Sequence, residues 1–176
     1  EAQAIEAANK PKIEIPTGIR PLTLPDIGKR SREELLRICD SDKPRNIHIS
    51  DVSRYIMNQT KFSGNVGSVD LIFPSGYDLG LTKRAPYQRF IEAGQNRGYS
   101  LIQDPTEVAL ELRIFDANQP LYDWYGLAMQ QILVPGRYPQ VLALVHLDDG
   151  FWVRTRWTSP VPLWYPGARL AFSVSK

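Results

Sequence analysis

The chain has 176 residues, 43% apolar and 23% charged, with a net charge of +2 at neutral pH. That length and balance suit one folded unit, or one unit with a long arm, and can bury a core without staples. A single cysteine, Cys39, excludes an internal disulfide and a multi-cysteine metal site; so small a charge is no nucleic-acid signature by itself, and no apolar run reaches the ~20 residues that cross a membrane.

Residues 1–30 read as an extended arm. Pro11, Pro16, Pro21 and Pro25 deny it a helix and remove ladder donors. Ile13, Ile15, Ile19, Leu22, Leu24 and Ile27 lie between them and predict packing, on this chain or on a neighbour, rather than a solvated tail. The plainer reading is a linker. Ala2-Gln3-Ala4 resembles a signal-peptidase site, but no apolar stretch precedes it. The expected compartment is the cytoplasm, with secretion or the periplasm as the alternative.

Ser31, with Glu34 three residues on, forms a capping signature for a helix from about Arg32 to Asp40 that buries Leu35, Leu36 and Cys39. Cys39 in that pattern reads as a small core residue, not a nucleophile. Ser50 starts a second helix that buries Val52, Tyr55 and Ile56, and Val69–Phe73 is a short strand stopped by Pro74. Pro86 suits a third helix start; Tyr87, Phe90, Ile91 and Gly94 fall on one face, and Gly98 is placed as a left-handed cap. Tyr99–Ile102 reads as a strand. Asp104-Pro105-Thr106-Glu107 predicts one helical turn, followed by a strand over Leu110–Phe115. Strands are then expected within 123–132 and over Pro139–Leu147, Gly150–Trp157 and Ala168–Val174, with Asp149-Gly150 as a two-residue hairpin loop. The fold class is α+β: an N-terminal extended arm, two or three short helices and an antiparallel meander of about five strands. Residues 31–176 form a single domain in this reading.

From Asp78 onward the order of residues resembles a family of uncharacterised bacterial proteins. The pattern runs through Asp78-Leu79-Gly80-Leu81, Gly98-Tyr99-Ser100-Leu101, Glu107-Val108, Leu112-Arg113 and Gln119-Pro120. It continues with Asp123-Trp124, Ala128-Met129, Ile132 and Trp164-Tyr165-Pro166-Gly167-Ala168-Arg169. Where that family has Cys-Pro ahead of its Glu-Val, this chain has Asp104-Pro105, so any cysteine-based role is absent. The resemblance implies one folding unit over residues 78–176 and no particular activity.

The chemistry-bearing residues are few. With an Asp149-Gly150 loop, Asp148 faces Phe151 and His146 faces Val153. Leu142, Leu144, His146, Val153, Thr155 and Trp157 then share one face, and Ala143, Val145, Leu147, Trp152, Arg154 and Arg156 the other. An indole among arginines suits a protein interface. It also suits single-stranded nucleic acid, or an outer face covered by a loop or by the arm. Lys83 and Arg84 lack a glycine-rich cradle and read as a solvated helix end. His146, Asp148 and Asp149 read as a turn, since a metal site needs more ligands at defined spacing. No nucleophile elbow, zinc-protease helix or dinucleotide fingerprint occurs. The segment 158–167, with Trp164 and Tyr165, wraps a core edge or docks a partner.

The sequence therefore predicts a non-enzymatic binding or assembly subunit, with Trp152, Arg154, Arg156, Trp164 and Tyr165 as its binding residues. It predicts no catalytic or metal residues and no cofactor. A protein partner or self-association is expected and a membrane span is not. Nucleic-acid binding through the same face, or an enzyme of unrecognised type, is the alternative.

Overall fold

A computed structural model describes residues 12–158 and 163–174. The Ala-Gln-Ala segment and the Pro-rich stretch 159–162 lie outside the described residues. Among the described residues, seven strands and four helices follow in this order: β1 (Leu22–Ile27), α1 (Arg32–Ser41), β2 (Ile47–Ile49), α2 (Asp51–Gln59), β3 (Gly67–Ile72), α3 (Tyr87–Asn96), α4 (Pro105–Asn118), β4 (Trp124–Leu127), β5 (Gln140–Leu147), β6 (Gly150–Trp157) and β7 (Leu170–Ser173). The fold is α+β, but the sheet has seven strands in the order β1-β3-β7-β4-β5-β6-β2 instead of about five. It is mixed, not antiparallel throughout: β4 runs parallel to β7, and β2 parallel to β6. No described helix is long and apolar enough to cross a membrane.

Part of the Pro-rich arm belongs to the sheet. Leu22, Thr23 and Leu24 pair with Leu71, Asp70 and Val69, so β1 is an edge strand laid antiparallel on β3. Pro25 is tolerated there because an edge strand leaves one row of N–H groups outside the ladder. The register skips between Leu24 and Ile27, and Asp26 absorbs the skip in a left-handed conformation with φ of 54°. Leu24 and Ile27 are buried beneath it. Ahead of the strand, the Glu14 amide donates to the Arg97 carbonyl at 2.9 Å.

Local rules set the helix ends. Ser31 Oγ accepts from the Glu34 amide at 3.1 Å, and Ser50 Oγ from the Ser53 amide at 3.2 Å. Pro86 sits at the N-cap of α3, one residue ahead of its first helical position. At the other end Gly98, with φ of 87°, lets the Tyr99 amide reach the Gly94 carbonyl at 3.1 Å and its own amide reach Gln95 at 3.0 Å. That pair of bonds closes the helix in a Schellman turn.

The expected strand over Leu110–Phe115 is a helix. α4 runs unbroken for 14 residues from Pro105. Ten of them are buried; the other four, Glu111, Ile114, Phe115 and Asn118, share one face, but two of these are apolar while Arg113 and Asp116 are buried, so no polar stripe marks a helical period and an apolar run of this kind resembles a buried strand. Tyr99–Ile102 is likewise not a strand; only Ser100 bridges to Ser173.

The helices divide between the two faces of the sheet. Arg113 of α4 lies over the Phe151 ring, which places α4 on the face that also carries Tyr125, Leu144 and Val153. α1 and α2 join α4 there: the Arg32 guanidinium binds Glu107 of α4 at 2.7 Å and the Met57 carbonyl of α2 at 2.6 Å. α3 packs on the opposite face, where Gly94 meets the Phe172 ring so closely that a Cβ would overlap it. The Trp164 ring comes within 3.2 Å of the space a Cβ on Gly126 would fill, and so covers the same face over β4. This second face is therefore covered over β7 and β4, while its β5-β6-β2 end has no helix above it.

Candidate protein-interaction face

The hairpin closes one residue earlier than the Asp149-Gly150 loop predicts, which moves every cross-strand partner by two. Leu147 pairs with Gly150, His146 with Phe151 and Val145 with Trp152, so Asp148-Asp149 is the loop. Gly150 has φ of 135° and lies against the Asn46 carbonyl, where a Cβ would clash. Each cross-strand partner thus differs from the predicted one, yet both faces keep the predicted membership. The displacement equals the two-residue period of a strand, so no side chain changes sides.

Register then builds a row. Trp124 pairs with Val145, Val145 with Trp152, and Trp152 with His48 of β2, so four side chains from four strands stand side by side on the open face. All four are partly exposed. Strands lie ~4.8 Å apart, so the two indoles rise about 10 Å from each other with Val145 as the floor between them. One position along, Ala143 pairs with Arg154, and one further, Val141 pairs with Arg156.

The row is ordered by specific contacts. His48 stacks on Trp152 with ring centroids 4.5 Å apart and planes 24° from parallel. His48 Nε2 faces the Asp149 carbonyl at 3.1 Å, so that nitrogen carries the hydrogen. Trp152 Nε1 donates to Asp149 Oδ1 at 2.8 Å. The Arg154 guanidinium lies 4.5 Å from the Trp152 ring centroid. The Arg156 guanidinium lies 5.8 Å from Trp124 and 5.6 Å from Trp164. Its Nε is buried without a hydrogen-bond partner among the described residues.

Trp152, Arg154 and Arg156 are therefore brought together as the sequence predicts. Trp164 is not a surface residue. It is fully buried, packs on Tyr87, Phe90 and Trp124, and donates from Nε1 to the Trp157 carbonyl at 3.1 Å. The small Gly126 beneath it makes the room. Tyr165, the next residue, is 56% exposed and has the Arg84 guanidinium 4.0 Å from its ring centroid. Arg84 is thus held against an aromatic ring instead of being a freely solvated helix end. Sequence reasoning left His48 unplaced and gave Trp124 and Val145 no role in a site. The Ile47-His48-Ile49 alternation was the one local sign of a strand; its parallel pairing to a strand a hundred residues away has no local signature.

The opposite face holds charge of another kind. Arg113 and Asp116 form an ion pair in which both side chains are 1% exposed. Arg113 Nη1 also donates to the Trp152 carbonyl at 3.1 Å, and Asp116 Oδ1 accepts from the Leu121 amide at 2.8 Å. Burial holds the Arg113 pKa below its ordinary value; burial and then the Asp116 charge push Tyr125 well above its own. Burial likewise pushes the Cys39 thiol up to about 11, which makes it inert. A cleft of about 670 Å³ lies between β1, α1 and α4, and its Glu111 is held by Arg30. His146 stacks on Phe151 at 4.1 Å, and among the described residues no three metal-binding side chains converge. Comparison with protein-family models, with curated proteins and with solved structures gave no match.

Proposed function

We propose that the chain is a non-enzymatic binding or assembly subunit that meets a protein partner through the open end of its sheet face. One observation carries this reading. Six arginines, Arg30, Arg32, Arg45, Arg54, Arg113 and Arg169, have carboxylate partners within the chain. Of the eight arginines with none among the described residues, Arg84, Arg154 and Arg156 are also laid on aromatic rings, and the last two stand on the open face. Trp and Arg held in fixed positions and left accessible are the residues that dominate protein interfaces. Tyr165 with Arg84 extends the same chemistry beyond Trp164. Nucleic-acid binding is the weaker reading, because the Trp152 ring that would stack a base already meets His48 and Arg154. The resemblance of residues 78–176 to a bacterial family remains part of this proposal, since it takes in Trp124 and Trp164 but not His48.

Native mass spectrometry of the protein from its own source tests the reading. A stoichiometric protein partner or a homo-oligomer that disappears in Trp152→Ala supports it. A complex that survives Trp152→Ala and Arg154→Ala overturns it, as does a monomer that carries only a small-molecule mass.

A further inference from the structure

We infer that the segment recognised by this face is an acidic one: an extended peptide with an apolar side chain followed at the second and fourth positions by carboxylates. This rests on the protein-binding reading above and adds the chemistry of the partner. Three features select it. First, Val145 is a partly exposed aliphatic floor with Trp124 on one side and Trp152 on the other. The indoles stand about 10 Å apart, which leaves room for one apolar side chain between them. Second, Arg154 and Arg156 follow Trp152 along one strand, on the same side, at intervals of about 6.7 Å. An extended peptide lying along β6 presents its own same-side residues at that interval, so its carboxylates fall in step with the stems of the two arginines, whose guanidiniums lean back over Trp152 and across to Trp124 and Trp164. Third, those guanidiniums lack a carboxylate among the described residues, and both are held on indole rings instead of ranging freely. Little side-chain freedom is then lost when a carboxylate arrives, and Arg–carboxylate bonds are among the stronger hydrogen bonds.

A nucleic acid meets the charge but not the rest. Its bases need free ring faces, and Trp152 already meets His48 and Arg154. The floor at Val145 offers an aliphatic contact, not a stacking one.

The test uses fluorescein-labelled peptides with Phe, Leu or Val followed at the second and fourth positions by Glu, in a Ser/Thr background. Each is titrated by anisotropy at low and at physiological salt, beside its Gln analogue and a short oligothymidylate. The expected result is saturable binding of the Glu peptides, about tenfold weaker for the Gln analogues and at the higher salt. Arg154→Gln and Arg156→Gln should each weaken binding about tenfold; Arg154 is exposed, so its variant reports even if Arg156→Gln unfolds. Equal binding of Glu and Gln peptides, tighter binding of the oligothymidylate, or no peptide binding overturns the inference. If Arg154→Gln releases the native partner while the Glu peptides fail to bind, the acidic assignment is wrong and the protein-binding reading stands. If the native complex survives Arg154→Gln and Trp152→Ala, the reading itself is wrong.

Discussion

Arg113 and Arg154 are both guanidiniums laid over an aromatic ring, 4.9 Å from Phe151 and 4.5 Å from Trp152. The two rings belong to adjacent residues of β6 and point to opposite faces of the sheet. Under the helices, Arg113 is nearly inaccessible and has Asp116 beside it. On the open face, Arg154 is exposed and has no such partner among the described residues. The difference follows from solvent. A buried cation without a carboxylate costs several kcal/mol, so the covered face must pair its charges internally. Water stabilises the cation on the open face, which leaves Arg154 available to something outside the chain.

Four measurements break or sharpen this contrast. The largest effect is expected for Asp116→Ala, which strands the Arg113 charge under α4 and should cost about 3–5 kcal/mol in urea unfolding. Replacing both residues, as Arg113→Met with Asp116→Leu, should recover most of it; a loss below ~1 kcal/mol for Asp116→Ala would remove the distinction between the faces. Next come the two indoles. Trp164→Ala should lose about 3–5 kcal/mol as a core truncation, while Trp152→Ala, half-exposed, should lose about 1 kcal/mol and the partner with it. Equal losses in thermal or urea unfolding would make Trp152 a core residue.

The third measurement is alkaline stability. The Cys39 thiol ionises near 9 in the unfolded chain and near 11 in the folded one. Its contribution is intact below pH 9. Above that the unfolded chain gains a thiolate that the folded chain lacks, and stability falls until the folded thiol ionises. At ~1.4 kcal/mol per unit, the two units amount to about 3 kcal/mol between pH 9 and 11, absent in Cys39→Ala. The smallest effect is Arg154→Gln, expected to stay within ~0.5 kcal/mol of the parent stability. A larger loss would mean that Arg154 supports the fold.

What could be read from the sequence was what local chemistry decides. Ser31, Ser50 and Gly98 mark their helix ends by capping, and Tyr87, Phe90 and Ile91 by period. The open face kept its predicted members although the hairpin closed one residue early, because that moves each cross-strand partner by two, the strand period. What failed depends on the surroundings. α4 carries Ile114 and Phe115 on its less buried face and Arg113 and Asp116 on its buried one, and so gave no polar stripe. β2 and β1 find their places only by pairing with distant strands, so the sheet was short by two and its parallel pairs were unforeseen. The same cause hid half of the site: His48 reaches Trp152 through β2, and Trp164 left the surface because Gly126, 38 positions earlier in the chain, leaves space for its ring.

The place of β7 has a consequence for how the chain is made. Leu170–Ser173 comes after the other six described strands in the chain, yet it stands third in the sheet, between β3 and β4. A nascent chain lacking it holds two separate ladders, β1-β3 and β4-β5-β6-β2, with no strand to join them. Until those four residues emerge, the inner edges of β3 and β4 stay open to any other extended segment. Ribosome-bound intermediates of this protein should therefore depend on chaperone cover until β7 has emerged, even though most of the helical layer can form earlier.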